Sequence, residues 1–198
     1  MYPDWTGGRP RQLQRLVRRQ IWDVRRTREP PGAATAAPLS WAADVVWYFA
    51  YGSNLDPRTF EGRRRMRPLE VRRARLDGYR LVFDLPAGRG KRGAANLATA
   101  AGASVWGVAY RITDRAARWL DLTEGVPLGG YRRIEIELAL EDGGGLAAFT
   151  YQSARGRADR KPSARYMGII LQGARHHGLD ASYIRYLEGF ELAEDERR

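Results

Sequence analysis

The sequence predicts an α+β domain whose sheet is mostly antiparallel and curls toward a barrel. Two patterns carry that expectation. Strand-like segments follow one another through turns of hairpin type, and helix-like segments do not alternate with them, which argues against a doubly wound parallel sheet. A third observation is bulk: 198 residues, 43% of them hydrophobic and 11% aromatic, suffice to bury a core.

Composition changes near residue 44 and divides the chain into a basic appendage, 1–44, and a body, 45–198. In the appendage, Leu13, Leu16, Val17, Ile21 and Val24 recur at helical spacing among many arginines. They form one apolar stripe, with Pro10 near its first turn and Pro30–Pro31 stopping it. Glu29 to Ser40 then has linker character. Such a stripe can dock on the body, on a second subunit of a homodimer, or on a membrane surface. No continuous apolar run follows the basic residues, so a secretory signal is not indicated.

The body opens with Val45 to Tyr51, β-branched and aromatic like a buried strand. Gly52-Ser53-Asn54 breaks it, and Asp56-Pro57 starts a short helix. Tyr79 to Leu85 and Ser104 to Ile112 read as further strands, with Trp106, Val108, Tyr110 and Ile112 on one face. Thr113 caps a helix carrying Ala116, Ala117 and Leu120, which must end by Gly125 and Pro127. Ile134, Ile136, Leu138 and Leu140 alternate in a half-buried strand, which Gly143-Gly144-Gly145 turns into a partner, Leu146 to Gln152. Two helices close the chain: Ser163 to His176, and Ala181 to about Leu192 behind Asp180 as cap.

Charge and composition exclude more than they assign. The chain has 34 basic against 23 acidic residues, a formal +11. That balance invites a nucleic-acid reading. Yet Lys91 and Lys161 are the only lysines, and Ala and Gly are abundant. This is the signature of GC-rich coding rather than of a polyanion partner, so nucleic acid is not the expected ligand. The absence of cysteine excludes disulfide frameworks, thiolate nucleophiles and Cys-ligated metals, and fits a cytoplasmic protein. No apolar run nears the roughly 18 residues that would cross a bilayer.

Several motifs fall to context. Gly88 to Gly93 matches the dinucleotide pattern GxGxxG, but the residues after it resemble a strand, not the helix whose N-terminus would hold a pyrophosphate. His176 and His177 point about 100° apart on a helix and cannot jointly chelate one metal, so they read as a solvent-facing helix end. Ser53 lacks the flanking glycines of a nucleophile elbow and any visible triad partner. Two features survive. The Tyr51-Gly52-Ser53-Asn54-Leu55 loop leaves a strand for a helix start, with unpaired N–H groups suited to a carboxylate or an oxyanion. Glu124 stands where a helix must end, among apolar neighbours and at the negative end of the helix dipole, a setting that disfavours the charged form.

Taken together, Tyr48 to Leu55, Val105-Trp106-Gly107-Val108, Asp121-Leu122-Thr123-Glu124-Gly125 with Tyr131 following, and the tail from Pro162-Ser163-Ala164-Arg165-Tyr166 to Gly178-Leu179 resemble the γ-glutamylcyclotransferase family. The resemblance covers about residues 45 to 191. It implies a small mixed barrel with flanking helices, no metal and no cofactor, and a small-molecule γ-glutamyl substrate converted to 5-oxoproline and a free amine. It makes Glu124 the catalytic base, the loop Tyr51, Gly52, Ser53, Asn54 and Leu55 the substrate cradle, and Tyr131, Tyr151 and Tyr166 pocket tyrosines. The chemistry suits a chain without cysteine or triad, because the substrate's own α-amine is the nucleophile. Asn54 after Gly-Ser departs from the glutathione-specific branch, which makes glutathione a disfavoured substrate. Arg63 to Arg75 has no counterpart in compact members; it either favours an anionic acceptor or solvates a face. The alternative is a non-catalytic binding module that uses its basic surface.

Overall fold

The computed structural model describes residues 44–88 and 90–194. The helix expected over Leu13 to Val24 and the linker after it lie outside the described residues. Within them, β1 (Val45–Ala50), β2 (Glu70–Pro86), β3 (Gly93–Thr113), β4 (Arg132–Leu140) and β5 (Gly145–Gln152) close a barrel in the order β1-β3-β2-β4-β5. Every neighbouring pair is antiparallel except β1 with β5, which run parallel where Tyr48 faces Phe149. That one contact makes the barrel mixed. It is flanked by α1 (Asp114–Thr123), α2 (Ala164–His176) and α3 (Ala181–Glu188).

The helix starts follow capping chemistry. Thr113 accepts a hydrogen bond from the Ala116 N–H at 3.2 Å, Ser163 from Tyr166 at 3.2 Å, and Asp180 from Ser182 at 2.7 Å. At the far end of α1, Gly125 sits at φ 69°, a left-handed conformation that glycine adopts without steric cost. α3 stops at Glu188, earlier than the expected Leu192.

β2 and β3 are longer than the sequence segments suggested. The start of β2 is hidden by its arginines: Arg72 pairs with Glu70 on one face and Arg75 with Asp77 on the other, and the guanidinium groups lie over Trp47 and Trp106. The start of β3 is mostly small residues that carry weak strand propensity. Their ladder is interrupted between Val82 and Leu85 of β2, opposite Ala94 to Asn96 of β3, and this irregularity lies beside the candidate site, which Ala95 lines.

The core fills the barrel and the space under the helices. Phe49, Phe60, Val108, Ile112, Leu120, Ile170 and Leu187 are wholly buried. Phe60 belongs to a π-helical turn, Arg58–Arg63, and stacks on Tyr110 with ring centroids 4.1 Å apart, so the turn is pinned into the barrel. Among the described residues no helix is long and apolar enough to cross a membrane.

α2 lies against bare backbone. A Cβ on Gly173 would stand 2.3 Å from the Leu55 carbonyl carbon and 2.5 Å from the Asp56 nitrogen, whereas one on Gly168 of the same helix would meet nothing within 4 Å. The same substitution therefore takes opposite signs one helix face apart. Urea unfolding should show Gly173→Ala losing about 3 kcal/mol through overpacking, and Gly168→Ala gaining about 0.5–1 kcal/mol through helix propensity.

Candidate active site

β1 delivers Tyr48 and Tyr51 to the barrel mouth, and the chain then tightens into a 3₁₀ turn, Ser53–Leu55. No side chain caps this turn. Its first in-turn bond is the Leu55 N–H to the Gly52 carbonyl at 3.0 Å, so the Ser53 and Asn54 N–H groups precede the hydrogen-bonded ladder. Tyr110 braces the turn from behind, donating to the Asn54 carbonyl at 3.2 Å. A side chain at the start of the turn has little room, because a Cβ at Gly52 would stand 3.1 Å from the Ala95 side chain.

Glu124 is the C-cap of α1, its N–H bonded to the Leu120 carbonyl at 2.9 Å. Its side chain is 13% exposed. The sequence alone gives this carboxylate no partners; the fold supplies two. Arg64 Nη2 lies 2.8 Å from Oε1, and Asn54 Nδ2 donates to the same oxygen at 3.1 Å. Both contacts stabilise a negative charge.

A cleft of about 320 Å³, counted to its open mouth, is lined by Tyr48, Tyr51, Gly52, Ser53 and Asn54 with Ala95, Glu124, Tyr131, Tyr151 and Tyr166. The fold thus brings together every residue expected at the site except Leu55. That side chain is 1% exposed and belongs to the core; only its backbone takes part in the turn. Ala95 enters because the ladder irregularity turns its peptide toward the cleft: its carbonyl accepts from Tyr131 at 2.7 Å and its N–H donates to Tyr166 at 3.2 Å.

The tyrosine hydroxyls have a polarity. Tyr131 donates to the Ala95 carbonyl, Tyr51 to the Tyr151 carbonyl at 2.6 Å, and Tyr151 to Asp121 Oδ1 at 2.6 Å. Carbonyls and carboxylates accept only, so these three hydroxyls have committed their hydrogens and keep lone pairs for a ligand. Burial pushes all three well above the ordinary phenol range, and for Tyr151 the bond to Asp121 adds to it. They stay neutral at physiological pH. Tyr48 is raised too, first by burial and then by the charge of Glu124. The cleft therefore offers tyrosine oxygens and a carboxylate to a cation, and the N–H groups of an uncapped turn to an anion.

Sequence reasoning missed Tyr48, which it placed in the strand, and Arg64, which nothing in the run Arg63-Arg64-Arg65 sets apart. It also misplaced His177. Rather than facing solvent, this ring is half-buried, with Nε2 3.0 Å from the Tyr110 hydroxyl, and burial, followed by His176, lowers its pKa. The GxGxxG segment leads into a strand, since Gly93 opens β3, and the Ala87 N–H bonds the Arg92 carbonyl at 3.0 Å just before it. Among the described residues no group of three or more His, Asp or Glu is placed to hold a metal ion.

The arrangement has known relatives. A family model described as AIG2-like family matches residues 104–187. A γ-glutamylcyclotransferase of Bos taurus is 32% identical over 150 residues, covering 73% of this chain and 78% of the relative. The Homo sapiens protein of that name is 31% identical over 148 residues with the same coverage. A solved structure named γ-glutamyl cyclotransferase superposes with a TM-score of 0.69 at 27% identity, over 78% of this chain and 93% of that one. With that likeness running through most of both chains, and through the barrel that carries the cleft, the chain belongs to the γ-glutamylcyclotransferase family of enzymes.

Proposed function

We propose that this chain converts a γ-glutamyl amide or γ-glutamyl amino acid bearing a free α-amine into 5-oxoproline and the released amine, with Glu124 as general acid and base. The observation that carries the reading is the placement of one carboxylate, Glu124, in the same cleft as an uncapped turn, Gly52 to Asn54, whose leading N–H groups lie outside the hydrogen-bonded ladder.

Glu124 takes a proton from the α-ammonium, and the freed nitrogen lone pair attacks the γ-carbonyl carbon. As that C–N bond forms, the carbonyl oxygen becomes an oxyanion, which the turn's N–H groups stabilise. Glu124 returns the proton to the departing nitrogen as the old amide bond breaks, and the ring nitrogen's second proton passes through the same carboxylate to the released amine, leaving a neutral lactam N–H and an ammonium product. No covalent enzyme intermediate is needed, because nucleophile and electrophile belong to one molecule. The cleft's remaining task is to fold that molecule into its ring-closing conformer. The lone pairs of Tyr51, Tyr131 and Tyr151 suit an ammonium group, and they support a substrate whose α-amine is unmodified.

The binding-module alternative relies on a basic surface. Along β2 the exposed arginines are matched with carboxylates, Arg72 with Glu70, Arg73 with Glu141 and Arg75 with Asp77, which weakens that reading. Salt-dependent retention on DNA or RNA tests it directly.

Purified protein given a panel of γ-glutamyl amino acids and amines, with EDTA present, should release 5-oxoproline from at least one donor. No product from any donor would sink the proposal, and N-acetylated donors should remain untouched. Glu124→Gln keeps size and hydrogen bonding but accepts no proton, so turnover should fall by about 100-fold or more with the fold intact. Retained turnover would remove Glu124 as the base. Deleting residues 1–40 should lower solubility, stability or oligomeric state more than turnover per folded molecule. A monodisperse, stable but inactive truncation would place part of the site in the appendage.

A further inference from the structure

The two contacts that hold the Glu124 side chain, from Arg64 Nη2 and Asn54 Nδ2, fall on the same oxygen, Oε1. The principal partner is Arg64, whose guanidinium is used as a fork. Nη2 meets Glu124 Oε1 at 2.8 Å, Nε donates to Asn54 Oδ1 at 2.7 Å, and Nη1 donates to Thr123 Oγ1 at 2.6 Å. These acceptors come from two separate pieces of chain, the 3₁₀ turn that forms the cradle and the C-terminal end of α1. A planar group with several fixed N–H directions can reach all three at once; an ammonium on a flexible stem cannot.

The backbone of Arg64 is held as well. Its N–H bonds the Thr59 carbonyl at 3.0 Å to close the π-helical turn, and its carbonyl accepts from Trp119 Nε1 of α1 at 3.2 Å. The arginine is thus tied to α1 through both its main chain and its side chain. Its side chain is only 20% exposed.

We propose that Arg64 is the positioning residue for the base: with Asn54 it occupies Oε1 of Glu124, leaving Oε2 as the oxygen that receives the proton of the α-ammonium, and it fixes that oxygen relative to the cradle. This rests on the reading of Glu124 as the base. Loss of the fork frees the carboxylate to rotate, and a misplacement of about 1 Å costs about 100-fold in rate. The effect belongs to the chemical step, so it appears in kcat with KM nearly unchanged.

The test compares Arg64→Ala, Arg64→Lys and Glu124→Gln in the full chain, by steady-state kinetics on a γ-glutamyl donor and by thermal unfolding. Arg64→Ala should lose about 10–100-fold in kcat, and added methylguanidinium should restore part of that loss saturably while leaving Glu124→Gln unaffected. Arg64→Lys keeps the charge without the fork and should lose kcat almost as far, at an unchanged melting temperature; it serves alone if Arg64→Ala does not fold. Wild-type kcat in Arg64→Lys overturns the inference, as does a loss in folded Arg64→Ala that methylguanidinium leaves untouched. If Glu124→Gln is inactive in those cases, the base survives and only the role of Arg64 falls. A fully active Glu124→Gln overturns both.

Discussion

The site depends on one buried amide. Asn54 is 5% exposed, and a buried carboxamide must find partners for its polar atoms or lose their hydration uncompensated. Its Nδ2 donates to Tyr48 and to Glu124, its Oδ1 accepts from Arg64, and its main-chain carbonyl accepts from Tyr110. Those partners stand on β1, on the end of α1, beside the π-helical turn and on β3. Satisfying a single side chain therefore fixes the relative placement of pieces far apart in sequence. The cleft is the space left between them.

Much of this was legible before any coordinates. The strand, the glycine break and the turn at Tyr48 to Leu55 follow from local rules, and so do the caps Thr113 and Asp180 and the end of α1 at Gly125. These rules act over a few residues, within reach of a linear reading. What escaped was either long-range or masked. Arg64 is chemically identical to its neighbours, and only the fold distinguishes it. Tyr48 looks like any aromatic in a buried strand until the barrel closes and turns it toward Asn54. Leu55 joins the cradle by adjacency in sequence alone, since its side chain points into the core. The arginines at the start of β2 hid a strand because they fall on both of its faces, so no hydrophobic alternation registers there.

The two ends of the cleft are built by different means. The anion-facing end comes from backbone geometry, a 3₁₀ turn without a cap and with little room for a side chain at its start. The cation-facing end is made of side chains whose hydroxyl hydrogens are already committed, so its character depends on the groups that accept them: the Ala95 carbonyl, the Tyr151 carbonyl and Asp121. Asp121 is itself held by Arg133, which lies over the Phe149 ring at 4.0 Å. The polarity of the pocket is therefore set from the barrel wall outward.

That polarity has a consequence for what leaves the cleft. On the proposed chemistry, a substrate arrives as an ammonium, rich in donors and positively charged. Ring closure turns the same nitrogen into a neutral lactam N–H. A wall of hydroxyl oxygens with no hydrogens to offer, set beside a carboxylate, holds the first strongly and the second weakly. The lactam's own carbonyl finds no donor among those three hydroxyls. On that chemistry, the hydrogen-bond direction fixed by folding lets the cation-facing end tell the substrate's ammonium from the product's lactam nitrogen, while the turn's N–H groups face the carbonyl oxygen of both.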